Sequence, residues 1–216
     1  MIAYGTWKTS DSDKCTVLTG WDFATSMSMA VVVPAKGELQ YSTSDVCRFL
    51  LETGRTSAEL QCDQESSVKL VLQNVVKKMP LASLRTGPKW YKSSQGGVER
   101  LHETLWGTLR TLSSNISENF NGYKLLANHP LTSWLVKHAA YLINKYLVHQ
   151  DGTTSFERRW GRPGNGNPVL NFEEKVLYKL KTSDGHRIPK GELQFREGLW
   201  LCRDTESPEH FLFDLE

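Results

Sequence analysis

Two stretches, AELQCD at residues 58–63 and SQGGVERLHETLWGTLRTL at residues 94–112, decide the fold. In the first, Ala58, Leu60 and Cys62 form an apolar run that reads as a buried strand, and Asp63 ends it. In the second, Val98, Leu101, Leu105, Leu109, Leu112 and, just beyond, Ile116 recur at three- and four-residue steps. That spacing predicts a long amphipathic helix with Glu99 in its first turn. Residues 64–98, a gap of 35, separate the two acids. A strand-end aspartate and a helix-start glutamate can converge on divalent metal ions, which activate water or a hydroxyl for attack on phosphate. The same two residues also suit plainer roles, one ending a strand and the other complementing the helix dipole.

Working toward the N-terminus, Ile2–Trp7, Cys15–Trp21 and Met27–Val33 read as a β-meander, with Asp22–Ser26 as a turn and Pro34 as a stop. The chain begins inside its first strand (Ile2, Tyr4), which suggests a start within a longer reading frame. Ser42–Asp45 can cap a helix carrying Val46, Phe49 and Leu50 and closed by Gly54. Ser66 and Ser67 open a second helix bearing Val68, Leu70, Val71, Leu72, Val75 and Val76. Residues 85–97 lack an apolar period and read as a loop. Pro130–Leu147 reads as another helix, its stripe marked by Leu131, Trp134, Leu135, Tyr141 and Leu142. A meander followed by alternating helices and strands predicts an α/β domain with a mixed sheet over residues 1–150. Residues 151–168, rich in Gly, Arg and Asn, read as a linker. Short β-like runs at Lys175–Leu180, Gly191–Phe195, Leu199–Cys202 and Phe211–Phe213 predict a small β-barrel-like appendage over 169–216.

Composition narrows the class. With 216 residues, 39% hydrophobic and 23% charged, the chain can build a packed core. A net charge of +2 excludes a histone-like polycation but not a local basic face. The four scattered cysteines make no C-x-x-C pair, which argues against a structural zinc module and for an intracellular protein. No apolar run reaches the length of a membrane span.

Asp63-Gln64-Glu65, the segment Ser94–Arg100 and the 35-residue gap resemble the integrase catalytic core of retrotransposon Pol polyproteins. His129-Pro130, Trp134-Leu135 and His138-Ala139-Ala140 are similar to that family's helical region. Asp151–Arg158 looks like its DGxTxFER linker. Glu174–Tyr178 and Gly198–Leu201 resemble its small β domain. The resemblance implies a ribonuclease H-like mixed sheet flanked by helices. It also implies a metal-dependent DNA strand transferase that activates first water and then a DNA 3′-hydroxyl. Asp63 and Glu99 would be its catalytic and metal-binding residues, with Mg²⁺ or Mn²⁺ as cofactor. DNA ends and target DNA would be its partners. The resemblance further implies a homo-oligomer and allows a nuclear location.

The family's first aspartate falls where this chain has Ala3, in the stretch Ile2-Ala3-Tyr4-Gly5. Alanine offers no metal ligand, so an impaired copy, or a non-catalytic DNA-binding or scaffold remnant, is expected. Gly96 and Cys202 depart further, standing where the family often has Asn and Gly. Asp22 reads better as a turn residue than as a substitute ligand, and Glu103 as an exposed helix charge. Arg85, Lys89, Trp90, Tyr91 and Lys92 mix cations with aromatics before Glu99, and Arg100 follows it. Cations meet phosphates and aromatics stack on bases, so Lys89, Trp90, Lys92 and Arg100 are candidate DNA contacts. Arg158, Arg159 and Arg162 form a second basic cluster. His102, His129 and His138 fit no zinc spacing. His129 reads as the residue before a helix-opening proline and His138 as packed between helices, while Trp106 and Trp134 read as core or near-core. Another nuclease of the same fold would lack the linker and C-terminal similarities.

Overall fold

The computed structural model describes residues 1–37, 40–62, 65–86, 96–164, 170–180, 191, 193–204, 207 and 209–215. The chain divides into two units, Met1–Gly166 and Asn167–Glu216. The first unit opens with the expected meander, β1 (Ile2–Lys8), β2 (Lys14–Trp21) and β3 (Ser28–Val33), paired antiparallel in the order β1-β2-β3. Helix α1 (Gln40–Glu52), β4 (Ala58–Cys62), α2 (Ser66–Lys78) and β5 (Ala82–Thr86) follow, with β4 and β5 parallel and β4 lying beside β1. Then come α3 (Gly96–Asn119), α4 (Pro130–Tyr146) and the short α5 (Ser155–Trp160).

Strand alternation sorts the side chains onto two covered faces. Ile2, Leu18, Val33, Leu60 and Cys62 turn one way and pack with Val46 and Leu50 of α1 and Val68, Val71, Leu72 and Val75 of α2. Each fully buried aliphatic side chain in this seam contributes about 1.5–3 kcal/mol. The opposite face meets α3 and α4. Trp7 stacks on Trp106 with ring centroids 5.8 Å apart, and Asn144 is bonded to Ser28 through both its oxygen and its nitrogen. The result is a mixed α/β unit with helices on both sides of its strands.

Several helix ends follow from local chemistry. His129 accepts from the Leu131 amide at 3.2 Å with Pro130 behind it, so the histidine caps α4. Helix α1 starts two residues before Ser42, so Ser42 and Thr43 are buried within its first turn. It ends at a turn where Gly54 has φ +72°, and a Cβ there would stand 2.7 Å from the Arg159 guanidinium. That guanidinium donates to the Glu52 carbonyl at 2.7 Å, so α5 closes the C-terminus of α1.

Helix α5 begins inside the segment that reads as a linker. The Thr154 hydroxyl accepts from the Glu157 amide while Glu157 accepts from the Thr154 amide, a complete capping box. Phe156 is buried and stacks on Trp160 at 4.5 Å. Residues 165–168, the end of that segment, lie outside the described residues.

In the second unit, β6 (Lys175–Lys179), β7 (Phe195–Arg203) and β8 (His210–Asp214) form a three-stranded antiparallel sheet. Where a barrel-like appendage and a strand at 191–195 are expected, the described residues show this sheet, with β7 beginning at Phe195. Trp200 is buried and donates from Nε1 to His210 Nδ1 at 2.8 Å. Gly198 is required by close approach, since a Cβ would lie 2.9 Å from the Phe213 carbonyl oxygen.

Candidate functional site

Glu99 is exposed in the first turn of α3, as the apolar period of that helix dictates. Ala3 shares with Gly5 and Trp7 the face of β1 turned toward α3. A Cβ on Gly5 would stand 2.8 Å from Trp106 and 3.1 Å from His102, so helix and strand lie nearly backbone to side chain there. Thr19 pairs with Ala3 across the β1–β2 ladder and is fully buried. Its hydroxyl donates to the Ala3 carbonyl at 3.1 Å and therefore accepts from His102 Nε2 at 2.7 Å. The network assigns the imidazole proton to Nε2. Burial lowers the His102 pKa, with the nearby charge of Glu99 opposing, so the ring is neutral at neutral pH.

A second contact holds the start of α3. The ring of Trp21, at the end of β2, fills the space a side chain would need at Gly97: a Cβ there would meet the indole at 2.3 Å. Trp21 is itself fixed, exchanging backbone hydrogen bonds with Met1 and lying edge-on to Phe23 at 4.6 Å. Glu99 thus sits between two pins, Gly97 on Trp21 and His102 on Thr19.

Asp63, Lys89, Trp90 and Lys92 lie outside the described residues. Cys62, which ends β4, is the last residue described before Asp63, and Glu65 is ion-paired with Lys36 at 2.7 Å. Arg100 is exposed and its Nε donates to the Gly96 carbonyl at 3.1 Å. Among the described residues no group of three or more His, Cys, Asp or Glu could hold a metal ion. At Ala3 the structure offers a methyl group beside Thr19. Ala3 thus contributes no metal ligand, and Asp63 lies outside the described residues.

Asp22 is committed to its turn. It accepts from the Thr25 amide at 2.9 Å and hydroxyl at 2.6 Å, and pairs with Arg55 at 3.3 Å. Burial works against its charge, but those bonds hold its pKa below the ordinary carboxylate value. Glu103 is exposed. His138 is 1% exposed, and desolvation pushes its pKa down to about 4.

Residues 149–158 form a second, tightly bonded group, which includes the Thr154–Glu157 capping box. Arg158 pairs with Asp151 at 2.8 Å and donates to the Thr153 hydroxyl at 3.0 Å and the Ser26 hydroxyl at 2.7 Å. The Thr153 hydroxyl and amide, with Arg158, hold the Asp151 pKa at about 2. Ser155, fully buried, donates to the Ser26 carbonyl at 2.9 Å, so it accepts from His149 Nε2 at 2.9 Å. Ser155, His149 and Asp151 thus lie close together. The hydroxyl proton is directed at a carbonyl and the serine has no access, so the trio is structural.

Between this group and α3 lies a cleft of about 460 Å³, with Trp21, Arg100, Thr104, Gln150 and Arg158 on its walls. Leu101, Ile143 and Leu147 supply its apolar part.

No protein-family model matches the chain, and no curated protein does. The fold is similar to that of a chain in the cryoEM structure of the simian T-cell lymphotropic virus intasome in complex with PP2A regulatory subunit B56 gamma. The TM-score is 0.55 at 13% identity, over 100% of this chain and 75% of that chain. Other similar solved structures include the catalytic core domain of BIV integrase (TM-score 0.49, 19% identity, 73% of this chain and 93% of that one). The HTLV-2 integrase catalytic core domain in complex with magnesium is another (TM-score 0.49, 14% identity, 73% and 93%). At such identities the likeness is one of fold: the chain has a mixed α/β fold like that of the retroviral intasome chain.

Proposed function

We propose that the chain is a retrotransposon integrase-like protein that engages DNA and is impaired in metal-dependent strand transfer. Ala3 carries this reading. It stands on the α3-facing side of β1, in the pattern where the resembling family has its first aspartate, and Thr19 and His102 link it to the turn of Glu99. Asp63 and Glu99 remain as the carboxylates that the resemblance assigns to Mg²⁺ or Mn²⁺. Without a third acid they hold such ions weakly. Lys89, Trp90, Lys92 and Arg100 are the DNA contacts of this reading, and self-association accompanies DNA binding, in keeping with the likeness to an intasome chain. The protein acts where it meets DNA, inside the cell.

Binding to short duplexes bearing blunt DNA ends tests the reading. Affinity should fall linearly on a log–log plot against salt, with a slope near −0.9 per phosphate contacted. Arg100→Ala should reduce that slope by about 1. Absence of salt-dependent binding refutes the DNA-engaging reading and leaves a folded remnant.

A further inference from the structure

We infer that the cleft between α3 and the 147–158 segment is a binding site for a nucleoside monophosphate unit. Among the described residues the charged side chains on its walls are Arg100 and Arg158, the latter paired with Asp151 at 2.8 Å, and no carboxylate is among its lining residues. Arginine is the side chain best matched to phosphate, through a planar fork of donors. Arg158 is pre-organised: Asp151, Thr153 and Ser26 fix its guanidinium before any ligand arrives, so little side-chain entropy is lost on binding. Arg100 lies near the start of α3, a 24-residue helix whose dipole favours an anion at that end.

The rest of the cleft suits a sugar and a base. Trp21 offers a flat aromatic surface held in place by Gly97 and Phe23. Leu101 and Ile143 are buried apolar surface, and Thr104 and Gln150 are neutral hydrogen-bonding groups. Base stacking on an aromatic ring is worth roughly 1–3 kcal/mol per base and is indifferent to sequence. A volume of about 460 Å³ lies in the range of small-ligand pockets. Free nucleotides and the terminal nucleotide of a DNA strand share this chemistry. The strand-end source rests on the DNA-binding reading above; the site itself does not.

The test is calorimetric titration of the full chain with dAMP, deoxyadenosine and inorganic phosphate, together with the NMR signal of the Trp21 indole N–H. The site predicts saturable dAMP binding, with phosphate and deoxyadenosine each roughly tenfold weaker or more. It also predicts a shift of the Trp21 signal and a roughly tenfold loss in Arg100→Ala, an exposed position whose change leaves the circular dichroism spectrum intact. No saturation by dAMP, unchanged binding in Arg100→Ala, or phosphate binding as tightly as dAMP would each overturn it. Competition by a 5′-phosphorylated oligonucleotide assigns the site to a strand end, and its absence assigns it to free nucleotides. Intact dAMP binding with no DNA binding refutes the DNA-engaging reading alone.

Discussion

Thr19 and His102, 83 residues apart, are joined by a 2.7 Å hydrogen bond that ties α3 to β2 beside Ala3. The bond has a direction, because the Thr19 proton is directed at the Ala3 carbonyl. Thr19→Val keeps the shape but leaves the half-buried imidazole N–H without its acceptor. The expected loss is about 1–3 kcal/mol by chemical denaturation. In the parent protein, NMR of the His102 ring should find the proton on Nε2.

Trp21 and Gly97 are coupled by shape. Gly97→Ala forces the indole or the helix start to move and should cost about 1–3 kcal/mol. Combining it with Trp21→Val should cost less than the sum of the two single changes, a non-additivity that a double-mutant cycle measures directly.

Gly54 combines a positive φ of +72° with the Arg159 guanidinium 2.7 Å from where a Cβ would sit. Gly54→Ala should therefore destabilise by about 1–3 kcal/mol. Circular dichroism melts would register it as a lower Tm.

His138 makes stability fall with acid. Its pKa is pushed from 6.5 to about 4 by burial, so the unfolded chain takes up a proton first as pH drops. The contribution is complete above about pH 6.5 and lost toward pH 4, by about 3 kcal/mol in all. In His138→Phe, denaturation midpoints measured over that window should fall less steeply than in the parent.

How far the sequence carried this picture depended on how local each signal was. Helix α3 was legible because Val98, Leu101, Leu105 and Leu109 repeat on one face, and all four are buried. The meander was legible from β-branched runs and Pro34, and the Asp22 turn from its residue type. Strand β5 carries no readable period, because Ala82–Thr86 has just Ala82 and Leu84 as apolar residues. Helix α5 hid among glycines and arginines, although Thr154-Ser155-Phe156-Glu157 spelled its capping box. The pins on either side of Glu99 had no local signal at all. They depend on pairings of Trp21 with Gly97 and Thr19 with His102 that exist once the chain has folded.

On the integrase-like reading proposed above, Ala3 is what removes strand transfer. A strand-transfer assay on DNA ends in Mg²⁺ and in Mn²⁺, run on the chain as it stands and on Ala3→Asp, decides this. We predict no strand transfer above background for the chain as it stands and measurable transfer for Ala3→Asp. Robust transfer by the unaltered chain would contradict the claim.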